Sequence, residues 1–265
     1  MIRMKLSKIS FGFALMGLCA AFQTQSHAVV GDLTTQSTVV ISTSYGDAIF
    51  TTDFTQPAGT GVFDPFLTIQ ANGTEQGYNT SSGVFDTKRE PQWNYEIQVQ
   101  DLTTVKINGV DYYSFTLDIN EPNSSTTSQI SLDSLKIYTS TVAGQTTTNV
   151  DSLGVKRFDL DLPADSYIKY DDLNSGSGQA DIAFFIPTAS FLTAAPTDYV
   201  YMYQMFGSSI SANTTTQGGF EETRIGGAIT PVPEVTTVVP LAAMFGLMIG
   251  ANVLYRRRRS GVSED

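Results

Sequence analysis

Beyond residue 28 the chain has no cysteine and no histidine, because its single cysteine, Cys19, and its single histidine, His27, both precede that point. This excludes disulfides, Cys/His zinc sites, Ser-His-Asp triads and Cys-His nucleophiles from everything that follows. Carboxylate, lysine or tyrosine chemistry and oxygen-ligand sites of the calcium type are what remain. Cations are also scarce: residues 29–232 carry 8 Lys+Arg against 23 Asp+Glu, a net charge of −15. Nucleic acid is therefore excluded as a partner. The acidity suits solubility outside a cell, divalent cation binding, or repulsion from anionic polysaccharide. Leu, Lys, Glu and Ala are too sparse in the body for long amphipathic helices.

What the body does have is Ser, Thr, Gly and Asn in quantity, and apolar residues at a spacing of two. In residues 93–100, Trp93, Tyr95, Ile97 and Val99 alternate with Asn94, Glu96, Gln98 and Gln100, the pattern of a half-buried antiparallel strand. Tyr113, Phe115, Leu117 and Ile119 alternate with Ser114, Thr116 and Asp118 in the same way. The same reasoning predicts strands at 38–42, 47–52, 66–70, 130–139, 155–160, 167–170, 181–186 and 199–205, about ten in all. Asn108-Gly109 between 103–107 and 110–119 predicts a two-residue hairpin. A second hairpin is expected over 167–186, turning through Asn174-Ser175-Gly176-Ser177-Gly178. The fold class expected is all-β, an antiparallel β-sandwich of jelly-roll type over residues 29–229, with no solenoid or propeller repeat.

The two ends read differently. Arg3, Lys5 and Lys8 precede an apolar segment from Ile9 to about Phe22, and Ser26-His27-Ala28 supplies small residues for cleavage between Ala28 and Val29. Residues 1–28 are thus expected to be a secretory signal peptide. Near the C-terminus, residues 235–255 contain no charge and are long enough for one transmembrane helix, and Arg256, Arg257, Arg258 and Arg259 follow at once. The arginines should stay cytoplasmic with a short tail, 260–265, leaving the body outside. By hydropathy and charge alone this is a plain membrane anchor. The order Val232-Pro233-Glu234, apolar run and arginine cluster, with Val235 after the glutamate, resembles the PEP-CTERM sorting signal of Gram-negative bacteria. That resemblance covers residues 230–259 and implies recognition and processing by an exosortase-type membrane enzyme. Residues 199–207 (YVYMYQMFG), 218–225 (GGFEETRI) and the stretch from Leu117 to Tyr138 also resemble, loosely, ectodomains of other PEP-CTERM proteins, which carry no activity over to named residues.

Within the body, Asp171, Asp172, Asn174 and Asp181 surround a glycine-rich turn as calcium ligands would, but Ala183 stands where an EF-hand requires glutamate, and a plain hairpin explains the stretch better. Asp159 and Asp161 share one side of a strand, open to a glycosidase-like pair or a wet face. Glu221-Glu222 is open to both readings too. Tyr199, Tyr201 and Tyr203 form a ladder suited to stacking on sugars or, more simply, to packing, with Tyr112, Tyr113 and Trp93 as further aromatics. Residues 214–219 and 230–237 read as linker. The expectation is an exported, non-enzymatic surface or extracellular-matrix protein without cofactor or metal. Its expected partners are the exosortase-type enzyme, the membrane through the C-terminal helix, and extracellular polysaccharide. The alternatives are a surface-displayed carbohydrate-binding module and a carboxylate-dependent glycan hydrolase.

Overall fold

A computed structural model describes residues 29–55, 63–122, 128–174, 178–208 and 214–227. The leader with Ala28, and the tail with Val232, Pro233, Glu234, residues 235–255 and Arg256 to Arg259, lie outside the described residues. Among the described residues no helix is long and apolar enough to cross a membrane. The strands are β1 (Val29–Asp32), β2 (Thr38–Thr43), β3 (Gly46–Thr51), β4 (Leu67–Ile69), β5 (Asn72–Gly73), β6 (Glu75–Tyr78), β7 (Ile97–Gln98) and β8 (Thr104–Ile107). They continue as β9 (Val110–Ile119), β10 (Gln129–Ser140), β11 (Val155–Asp159), β12 (Ser166–Asp171), β13 (Ile182–Pro187), β14 (Tyr199–Phe206), β15 (Thr216–Gln217) and β16 (Glu221–Ile225).

Two seven-stranded sheets face one another. The first runs β1-β12-β10-β14-β6, with β11 on β10 and β7 on β14; the second runs β2-β3-β13-β9-β16-β4, with β8 on β9. Among the described residues every pairing is antiparallel except β1 with β12. The chain crosses between sheets from β9 to β10, from β12 to β13, from β13 to β14 and from β14 to β16, so that paired strands in one sheet feed paired strands in the other. Alternation causes this layering: Phe115, Leu117 and Ile119 of β9 meet Ile137, Phe158, Ile168, Val200 and Met202 in one apolar core between the sheets. Burying each such side chain stabilises the fold by about 1.5–3 kcal/mol. Asn108 and Gly109 have φ of 50° and 85° and join Ile107 to Val110, so the two-residue hairpin expected there is present.

Three expectations are corrected. Only Ile97 and Gln98 of the 93–100 stretch form a strand; residues 99–101 turn into a short 3₁₀ helix in which Asp101 accepts a bond from Gln98 N at 2.8 Å. The alternating pattern was real, but this local bond and the turn at 91–94 broke the strand. The second hairpin does not exist. β12 lies in the first sheet and β13 in the second, so 172–181 is a crossover between layers. The supposed linker at 214–219 is folded: β15 pairs with β5, Gln70 Nε2 donates to Gly218 O at 2.7 Å, and Gly219 lies so close to Asn120 O that a Cβ would clash. Thr-rich composition suggested solvent there, but the backbone found partners.

Candidate functional site

The tyrosine ladder stands where alternation puts it, on the outer face of the first sheet, yet it is not open. The segments around Val84 and 142–153 cover it, and Tyr78, Tyr138, Tyr201 and Tyr203 are buried together with Val84 and Leu153 as a second apolar layer. Their hydroxyls are spoken for. Tyr201 donates to Val142 O at 2.8 Å, Tyr203 to Gln76 Oε1 at 2.7 Å, Tyr138 to Asp151 Oδ1 at 2.9 Å, and Tyr78 to Thr147 O at 3.0 Å. Burial pushes the Tyr78 and Tyr203 hydroxyls up to about 12, with neighbouring carboxylates adding to it. Packing therefore accounts for the ladder, and Tyr201 has no face left for a sugar ring. Tyr112 lies on the outer face of the second sheet and Tyr113 turns towards the core, so neither joins the ladder.

Asp159 and Asp161 stay in contact, Asp161 N donating to Asp159 Oδ1 at 3.1 Å, but each carboxylate has its own structural partner. Asp159 ends β11 and is ion-paired with Lys156 at 2.7 Å, and Lys156 reaches Asp151 at 3.0 Å. Burial works against the Lys156 charge, but these two carboxylates outweigh it and raise its pKa. Asp161 lies beyond the strand, where it accepts from Ser134 Oγ at 2.9 Å. The two aspartates hold a turn against the sheet.

Asp181 organises the described start of the crossover, residues 172–174. Its Oδ1 accepts from Leu173 N, Asn174 N and Asn174 Nδ2 at 2.9–3.0 Å, and its Oδ2 accepts from Ile119 N at 2.8 Å. The carboxylate is used up in tying the crossover to β9. Asp118 sits beside it, accepting Gly178 N at 2.8 Å through Oδ2 while Oδ1 has no partner. On β16, Glu222 is directly opposite Asp118, a like-charge pairing that a sheet disfavours. Asp172, with its Oδ1 unpartnered, completes the group, and all four are buried. Burial is the largest cause pushing Asp118 and Asp181 up to about 7, reinforced by their shared negative charge. Arg224 acts on Asp118 from the same face of the sheet; it donates to Thr116 Oγ1 at 3.0 Å and packs over the Phe63 ring.

Behind β16, on its inward face, lies a second acidic group. Glu221 is opposite Ile119 and Ile69, and Glu75 is opposite Phe206, so both point into the space between the sheets. Glu121, two residues beyond β9, joins them. Glu75 Oε2 accepts Ala71 N at 2.6 Å and Glu121 Oε2 accepts Gln217 N at 2.8 Å. These bonds seat the β5–β15 ribbon across this end of the sandwich. Sequence reasoning singled out Glu221 but missed Glu75 and Glu121, because partners 46 or more residues away leave no local pattern.

Among the described residues no group of three or more His, Cys, Asp or Glu side chains is arranged to hold a metal ion. No known family model, curated protein or solved structure matches this chain.

Proposed function

We propose that the chain is an exported bacterial surface or extracellular-matrix protein of structural or interaction type, delivered by a PEP-CTERM-like signal. The observation that carries this reading is the tail, in which Pro233-Glu234, an uncharged run over 235–255 and Arg256 to Arg259 follow in order. The leader adds to it: Arg3, Lys5 and Lys8, an apolar segment and Ser26-His27-Ala28 precede the described body of the chain. All described strands fall between Val29 and Ile225, with the two membrane-directed segments on either side. The acidic body, without cysteine, suits the outside of a cell. The strand order, with β9 and β13 paired in one sheet and β10 and β12 in the other, supports the jelly-roll form of sandwich. In this reading the exosortase-type enzyme is the processing partner and polysaccharide the surroundings of the mature domain.

A non-enzymatic role is supported by what the acidic and aromatic candidates are occupied with. Asp159 holds Lys156, Asp181 holds backbone N–H groups, and Tyr201 is packed. Mass spectrometry of the surface-exposed form tests the delivery model. Peptides covering residues 241–265 are expected to be missing from it, and their recovery in full yield would leave only a permanent anchor. Glu234→Ala is expected to accumulate uncut precursor in the inner membrane. A passive anchor makes no use of that carboxylate, so normal processing of the variant would refute recognition.

A further inference from the structure

Three glutamates, Glu75, Glu121 and Glu221, have no place in the delivery model and are expensive to bury. They are 0, 4 and 0 % exposed. Glu221 is in side-chain contact with both of the others at hydrogen-bond range. Glu75 Oε1, Glu121 Oε1 and both oxygens of Glu221 have no N–H or ordinary O–H donor. Two carboxylates in such contact repel, whereas a carboxylic acid and a carboxylate share a short O–H···O bond. The charged neighbours do not neutralise the group. On the Glu75 side stands Asp86, on the Glu121 side Asp172, and through the sheet lie Asp118 and Glu222, all acidic. Among the cations, Lys88 is engaged with Gln70 Oε1 and the Phe220 ring, and Arg224 lies on the opposite face of β16 over Phe63. Glu221, in contact with two other carboxyl groups and without a donor to either oxygen, can supply the neutralising species itself as the proton of its own acid form.

We propose that Glu75, Glu221 and Glu121 form a proton-held latch joining the edge strand β6 of one sheet to β16 and the end of β9 in the other. When the group holds its protons, the acid O–H of one side chain bonds to the next across the gap. When a carboxylic acid releases its proton to water, the remaining carboxylates repel and the two sheets are pushed apart at this end. The latch also holds the ribbon, because Ala71 N and Gln217 N donate to its outer members.

Burial is the largest cause raising all three groups; contact with Glu221 lowers Glu75 and Glu121, whereas contact with them raises Glu221 further, so Glu221 is the member that holds its proton most firmly. In the unfolded chain they ionise near 4.5; folded, they keep protons to higher pH. The folded state therefore binds more protons above that point, so the latch contributes fully below about pH 4.5 and its contribution is lost as pH rises through the folded values.

The test is thermal unfolding of the purified full chain in mild detergent, at fixed ionic strength, at pH 5 and pH 8. The wild type is expected to melt at least about 5 °C higher at pH 5. Glu221→Gln supplies an uncharged amide that donates to both neighbours without a proton to lose. It is expected to raise the pH 8 melting temperature and to narrow the gap by at least about a third, while Tyr201→Phe, in the tyrosine layer, leaves the gap unchanged. A gap unchanged in Glu221→Gln, or a wild type that melts no lower at pH 8, overturns the proposal. If the variant does not fold, hydrogen exchange on the wild type decides. After correction for intrinsic rates, amides of β6 and β16 should lose protection between pH 5 and pH 8 while those of β2, on the far edge, do not; equal loss in both counts against the latch. Addition of about 5 mM calcium at pH 8 is expected to change nothing. A rise to the pH 5 value, reversed by chelator, would show that a cation neutralises the group and would overturn the proton reading.

Discussion

The outer tyrosine layer of the first sheet and the acidic end of the sandwich both bury polar groups, with opposite outcomes. In the tyrosine layer the hydroxyls of Tyr78, Tyr138, Tyr201 and Tyr203 all have acceptors within 2.7–3.1 Å, supplied by the covering segments, by Gln76 and by Asp151. At the acidic end Glu75, Asp118, Glu121, Asp172 and Glu221 all have a buried oxygen without a donor. A phenol needs one acceptor and stays neutral at any ordinary pH, so the tyrosine layer is insensitive to proton concentration. A carboxylate needs several donors or a counter-charge, and here the supply falls short. The difference teaches that burial alone decides little. The donor inventory around the buried group determines whether it acts as packing or as a titrating device.

The two regions can be broken separately, and the largest effect is expected in the tyrosine layer. Tyr201→Ala should cost about 3–5 kcal/mol in urea unfolding, since it opens a cavity among Tyr78, Tyr138 and Leu153. A loss below about 1 kcal/mol would mean that the covering segments do not pack on it. Asp181→Ala is next, at about 2–4 kcal/mol, because four N–H donors from Ile119, Leu173 and Asn174 lose their acceptor. Asp181→Asn should be nearly as harmful, as an amide N–H turned towards those donors would clash.

Stability against pH sharpens the contrast further. Asp118, raised from 3.8 to about 7 and with one oxygen free of donors, holds more protons in the folded state between those limits, and the buried glutamates of the latch add to it. Stability is thus expected to be highest near pH 4–5 and to fall by about 2 kcal/mol or more towards pH 7–8. The exposed Asp151, lowered by its bonds from Lys156 and Tyr138, works in the other direction, and its contribution is lost as pH falls through its folded value. Equilibrium unfolding at unit steps from pH 4 to 8 measures the balance; a monotonic rise would show that the acidic end is not buried in the native protein. Tyr201→Phe provides the control in the tyrosine layer. It should cost about 1 kcal/mol, from the unpaired Val142 O, by the same amount at every pH. The smallest change is Gly109→Ala, worth about 1 kcal/mol from its φ of 85° in the hairpin turn, with no effect on either region.

Much of this layout was legible in the chain. The strands β2, β3, β8, β9, β10, β13 and β14 lie within a residue or two of their expected positions, since period-two alternation and an Asn-Gly turn are local signals. Asn79 marks the boundary of that method. Its Nδ2 donates to Tyr95 O and Val200 O and its Oδ1 accepts Met202 N, a clamp across three segments that no local pattern announces. The short strands β1, β5, β6, β15 and β16 were missed for a related reason: two to five residues carry too little periodicity, and they are strands only because a distant partner offers its backbone.

By itself the sequence determined chemistry by exclusion, through the absence of cysteine and histidine after residue 28, and the all-β class, through alternation along each strand. Which face of each strand is covered was decided only by tertiary structure. Alternation separates Tyr199, Tyr201 and Tyr203 from Val200 and Met202, but Tyr201 and Tyr203 end up buried like Val200 and Met202, because the segments around Val84 and 142–153 fold over the outer face. In the same way Glu221 reads as a polar residue at the start of a strand until β6 brings Glu75 against it. Burial and charge neutralisation depend on what arrives from elsewhere in the chain, and the strand's own residues do not encode that arrival.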